Sequence, residues 1–113
     1  MKKLLVVLAL LTVSTVSSAE GFIAYVSGNK LFSWLEKEDG VYEVTVSLGY
    51  IQGVADALAT QGFLCLPKNV TPNQLNAMAK NHLENDPSIR HYAAADQIGT
   101  LFMTTFPCND SPK

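Results

Sequence analysis

Few side chains in this sequence could carry chemistry. They are two cysteines, Cys65 and Cys108, two histidines, His82 and His91, and a scatter of carboxylates that includes Asp56, Glu84, Asp86 and Asp96. The histidines could act as metal ligands or as acid–base groups near neutral pH. They are separated by a helix break at Asp86-Pro87-Ser88, and no His-x3-His or Cys-x2-Cys spacing supports a metal set. His82 falls on an apolar stripe, as a boundary residue would. A hydrolytic carboxylate pair must face across a substrate. Asp56 and Asp96 instead sit among alanines inside helical stretches, where each reads as a partly buried group bonded to another segment, with the Tyr50 hydroxyl as a candidate partner. A thiol–imidazole dyad would need Cys65 reduced. There is no Gly-x-Ser-x-Gly and no glycine-rich phosphate loop. The residues therefore predict no catalytic site, no metal and no cofactor.

The elements that position these groups begin after an N-terminal leader. Lys2 and Lys3 precede a ten-residue apolar run over 4–13, and Ser17-Ser18-Ala19 supplies small residues for cleavage after Ala19. Residues 1–19 thus read as a signal peptide and 20–113 as one mature domain. Crossing a bilayer takes about 20 apolar residues, so the run predicts no membrane anchor. In an exported protein two cysteines predict one disulfide, Cys65–Cys108. Closing a loop of that length is worth about 4 kcal/mol in the chain-entropy account.

The whole chain has 113 residues, with 8 Lys+Arg against 10 Asp+Glu. Loss of Lys2 and Lys3 leaves the mature part more acidic, without a basic cluster, which argues against a nucleic-acid partner. An overall 48% apolar content argues against disorder.

Hydrophobic spacing predicts four helices. The first covers 29–38, with Asn29 as its N-cap and Leu31, Phe32, Trp34 and Leu35 as its stripe; the acidic run Glu36–Asp39 is a solvated helix end. The second covers 42–60. Its start is rich in β-branched residues, yet Val41, Val44, Leu48, Ile51, Ala55 and Leu58 recur every three or four residues, and the longer pattern outweighs the local propensity. Gly49 and Gly53 share one face there. Each disfavours helix by about 1 kcal/mol against alanine, so another helix, or less readily a ligand backbone, is expected to approach closely. The third helix covers 72–85, opened by Thr71 with Pro72 at its first position and Gln74 completing a capping box. The fourth carries Ala95, Ile98, Leu101, Phe102 and Thr105 and stops before Pro107. The expected fold is a small all-α bundle of four to five helices tied by one disulfide.

Three stretches then resemble the Rap/Tai family of type VI secretion immunity proteins. They are the helix with Gly49-Tyr50-x-x-Gly53-x-x-Asp56, the Cys65-x-Pro67 turn leading to the Thr71-capped helix with Gln74-Leu75, and Ala93-Ala94-Ala95-Asp96 running to Phe106-Pro107-Cys108. The resemblance covers about residues 28–108. A further cysteine pair common in the family corresponds here to Leu35 and Ser47, which marks a divergent member. The resemblance implies a helical periplasmic protein, often a homodimer, whose partner is a peptidoglycan amidase effector blocked by occlusion. For the contact surface the segment between helices three and four offers Glu84, Asp86, Ile89, Arg90, His91 and Tyr92, a mixture of charge, apolar tip and aromatic typical of interface anchors. The other reading of that segment is a solvated loop with Ile89 and Tyr92 packed inward. A competing function is a small single-disulfide periplasmic chaperone of the HdeA-like kind, for which the few basic residues and two histidines provide only a modest cationic switch. A small enzyme is the third reading, and it lacks an activated nucleophile or metal set.

Overall fold

Ser27 opens the first helix. It is extended, and its Oγ accepts from the Lys30 N–H at 3.1 Å. The computed structural model describes residues 24–37 and 39–109. Four α-helices follow one another: α1 (Gly28–Leu35), α2 (Val41–Thr60), α3 (Pro72–Asn85) and α4 (Ala94–Thr105), with a single 3₁₀ turn at Pro87–Ile89 between α3 and α4. No strand occurs among the described residues; Ser27 and Ala93 form an isolated antiparallel bridge. The expected signal peptide lies outside the described residues. No described helix is long and apolar enough to cross a membrane.

Two boundaries of α1 differ from the sequence reading. The N-cap is Ser27 rather than Asn29, because the Ser27–Ala93 bridge holds the chain extended one residue before the helix begins. The C-terminal end falls at Leu35 rather than at 38. The chain turns back through Lys37 and Gly40, and Lys37 Nζ reaches Glu43 Oε1 at 3.2 Å. The backbone N–H of Glu43 and then Lys37 hold the Glu43 carboxyl below its ordinary pKa.

The stripe outweighs β propensity in α2, which is helical from Val41 to Thr60. Its buried line runs through Ser47, Ile51 and Ala55; Val41, in the first turn, is exposed. Gly62, at φ 81°, ends the helix. Its N–H donates to the Ala59 carbonyl, and the Phe63 N–H donates to the Leu58 carbonyl at 2.9 Å, the paired closure that a left-handed residue permits. The expected capping box opens α3: the Gln74 N–H donates to Thr71 Oγ1 at 3.2 Å and the Thr71 N–H to Gln74 Oε1 at 2.7 Å.

The core joins all four helices. Leu31, Phe32 and Leu35 meet Ile51 and Ala55, Leu75, Ala79 and Leu83, and Ala94, Ile98 and Phe102. Full burial of a large apolar side chain contributes about 1.5–3 kcal/mol each. The Cys65–Cys108 disulfide forms as expected, and the Cys65 N–H donates to the Phe106 carbonyl at 3.1 Å, so the approach to α3 is tied to the end of α4.

Candidate functional site

Residues 84–94 form the most intricately held connection, and the cause is local. Pro87 ends α3, and the 3₁₀ turn returns the chain through the Ile89 N–H to the Asp86 carbonyl and the Arg90 N–H to the Pro87 carbonyl, both at 3.3 Å. Ser88 Oγ donates to Asp86 Oδ1 at 2.6 Å. The N-terminal segment then clamps the loop from outside: the Gly28 N–H donates to the Tyr92 carbonyl at 2.8 Å, the Asn29 N–H to the Arg90 carbonyl at 2.6 Å, and the Ala94 N–H to the Val26 carbonyl at 2.9 Å. Only glycine fits at position 28, since a Cβ there would lie 2.8 Å from the Arg90 carbonyl oxygen.

Among the six partner-binding candidates, Arg90 turns inward. Its Nε donates to the Leu83 carbonyl at 2.7 Å and Nη2 to the Glu84 carbonyl at 3.4 Å, satisfying acceptors that the end of α3 leaves open. Its guanidinium carbon sits 4.1 Å from the Phe32 ring centroid. Arg90 is therefore a brace of the loop. His91 and Tyr92 stack with ring centroids 4.0 Å apart and stand out from the surface, Tyr92 with 55% of its area exposed. Glu84 is exposed, while Asp86 and Ile89 are half-buried. Tyr92 is thus not packed inward, and Ile89 is only partly so.

The motif residues on α2 need correction. Gly49 and Gly53 are exposed, and a Cβ on either would meet nothing within 4 Å. The close approach between α2 and α4 is made at Gly99 instead, where a Cβ would lie 3.3 Å from Leu58 Cδ1. Asp56 and Asp96 are exposed, not partly buried. The Tyr50 hydroxyl does lie beside another segment, but its neighbour there is the backbone N–H of Ala95, with the Asp96 carboxylate nearby. That N–H belongs to the first turn of α4, whose N-cap, Ala93, makes no side-chain capping bond. Burial, and to a lesser degree the nearby Asp96 charge, raise the Tyr50 pKa against the lowering effect of that N–H.

A groove of about 380 Å³ opens beside the loop, between the end of α3 and the outer face of α4. Ile89 and Leu101 line it with apolar surface, and Asp86 and Asp96 with carboxylates. His82, Gln97, Thr100 and Thr104 complete its walls. Of the helix pairs, α3 and α4 approach each other least, which leaves the space. Gln97, Thr100 and Thr104 escaped the sequence reading, and Leu101 entered it only as part of the stripe of the fourth helix. Their helical spacing is the signal that marks one face, and only the splay of α3 from α4 shows that the face borders a groove.

Two of the chemistries weighed from the sequence are not assembled among the described residues. Both cysteines are in the disulfide, which removes the thiol dyad. Among the described residues no three His, Cys, Asp or Glu side chains converge as metal ligands. Leu35 and Ser47 are buried, and Ser47 Oγ donates to the Val44 carbonyl at 2.9 Å.

No curated protein matches the chain. No solved structure matches it either. The model of the Rap1a immunity proteins matches residues 19–108, which takes in every described helix, both cysteines and the clamped loop. A match across most of the sequence, on a four-helix fold with the Cys65–Cys108 tie, places this chain in the Rap1a immunity protein family.

Proposed function

We propose that this chain is a periplasmic immunity protein that binds a type VI secreted peptidoglycan amidase and closes its cleft to substrate. The observation that carries the reading is the clamped loop bearing an outward His91–Tyr92 pair. Three backbone hydrogen bonds from 26–29 and the Arg90 brace hold the loop before any partner arrives. A surface ordered in advance loses little conformational freedom on binding, which favours tight inhibition. An occluding inhibitor needs no nucleophile or metal of its own, in keeping with a site built from anchors.

The leader-like composition of 1–19 supports export, and the resemblance to the Rap/Tai proteins supports an amidase as the target. A second copy of the chain has a natural place on the exposed Gly49–Gly53 face of α2, which lacks side chains to keep a neighbour away.

The purified oxidised chain is expected to inhibit muropeptide release by the amidase in a stoichiometric titration. Tyr92→Ala is expected to weaken inhibition about tenfold or more, as loss of an aromatic anchor does. Arg90 is unsuited to this test, because its replacement disturbs the loop itself. Holdase action on aggregating clients at low pH, without amidase inhibition, would replace this reading with the chaperone one.

A further inference from the structure

The groove between α3 and α4 has features that the occluding loop does not use. Asp86 reaches it from the end of α3 and Asp96 from the first turn of α4, and neither has an ion-pair partner among the described residues, where Lys37–Glu43 is the one such pair. Between them lie the apolar side chains of Ile89 and Leu101, with Thr100 and Gln97 offering oxygen acceptors. At about 380 Å³ the space lies at the small end for ligand pockets, suited to one long side chain.

We propose that this groove receives an arginine side chain from the protein partner. Its methylene stem lies along Ile89 and Leu101 while its guanidinium takes the carboxylates of Asp86 and Asp96. Arginine fits better than lysine, because a planar fork with five N–H donors can serve two carboxylates and a neighbouring hydroxyl or amide oxygen together. The occupant comes from another kind of molecule. This sequence has a single arginine, Arg90, and the Leu83 and Glu84 carbonyls already hold it. The groove is continuous with the clamped loop, since Asp86 and Ile89 belong to both, so one partner can cover the two. The partner's identity as an amidase rests on the function proposed above; the arginine preference does not.

Two measurements separate these claims. In the first, the ¹⁵N-labelled oxidised chain is titrated with the peptides acetyl-Gly-Arg-Gly-amide and acetyl-Gly-Gln-Gly-amide. The arginine peptide should shift the amides of Asp86, Ile89, Asp96 and Leu101 saturably, in the millimolar range, and D86N/D96N should abolish the shifts while keeping the wild-type helical spectrum. Equal shifts with the glutamine peptide, or no localised shift, would overturn the proposal. In the second, D86N/D96N should raise the inhibition constant against an amidase that the unmodified chain inhibits by about tenfold, with the salt dependence reduced. An unchanged constant also overturns the arginine groove. If the unmodified chain inhibits no amidase, the immunity reading fails and the peptide titration alone decides the groove.

Discussion

Two pairs of glycines divide this molecule. Gly28 and Gly99 are buried where backbones or helices meet: a Cβ on the first would strike the Arg90 main chain, and one on the second would press on Leu58. Gly49 and Gly53 stand on open helix surface, with nothing near enough to forbid a side chain. All four are glycine, yet the first pair is explained by the fold and the second is not. Among the described residues nothing packs closely on the two helix-weakening glycines of α2. A partner on that face belongs to the proposed function, whereas Gly28 is explained by the loop it clamps.

The strongest way to break this contrast is Gly28→Ala. Its Cβ meets main-chain atoms that cannot swing aside, so a loss of about 3 kcal/mol is expected in urea denaturation. A stability within about 0.5 kcal/mol of wild type, the spread of neutral surface changes, would show the clamp to be loose. Next is Arg90→Ala, which leaves two α3 carbonyls without their donor and strips Phe32 of its cation; about 2 kcal/mol should be lost. Hydrogen exchange at the Gly28 and Asn29 amides should quicken in the same variant, and unchanged protection there would mean that the loop holds its shape without the brace.

Tyr50→Phe is expected to have a smaller effect, about 1 kcal/mol or less, through loss of the hydroxyl beside the Ala95 N–H. It also has a pH signature. The folded state raises the Tyr50 pKa, so it holds that proton more firmly than the unfolded chain. The resulting stability is fully present below the unfolded tyrosine value, near pH 10, and is lost as pH rises through the higher folded one. The Phe variant should lack that part of the alkaline decline.

The smallest and opposite effect belongs to the exposed pair. Gly49→Ala and Gly53→Ala should each stabilise the chain by up to about 1 kcal/mol, because helix propensity improves with no clash. Gly53→Leu then sharpens the comparison. If the face docks a second copy, sedimentation should show the loss of dimer in a chain that remains folded. A dimer that survives the change places the interface elsewhere.

Legibility in the sequence followed the range of the interaction. The Thr71–Gln74 capping box spans three residues and was readable in full, as was the stripe that made α2 a helix despite its β-branched start. The disulfide was readable from the cysteine number together with the expected leader. The Ser27 cap was not, because it depends on a bridge to Ala93, far along the chain. Gly49, Gly53, Asp56 and Asp96 were expected to be in contact with other segments because each is locally unfavourable in a helix, but local disfavour does not reveal on which side of the molecule its compensation lies. Tyr50 illustrates the limit: a buried partner for its hydroxyl was anticipated, while the backbone N–H of Ala95 leaves no trace in residue type. The loop composition singled out a segment in which Arg90, its one arginine, went to the scaffold rather than to the outer surface.

The Ser27–Ala93 bridge has a consequence for how the molecule comes into being. The strand-like pairing that sets the start of α1 and the start of α4 needs both ends of the chain at once. Contacts between such distant stretches are made late and slowly. A polypeptide made in order from its N-terminus cannot complete the bridge at the start of α1 until Ala93 has followed. A chain truncated before α4 would keep the packing of α1 on α2 and α3 but would leave Ser27 and Gly28 without their partners across the bridge.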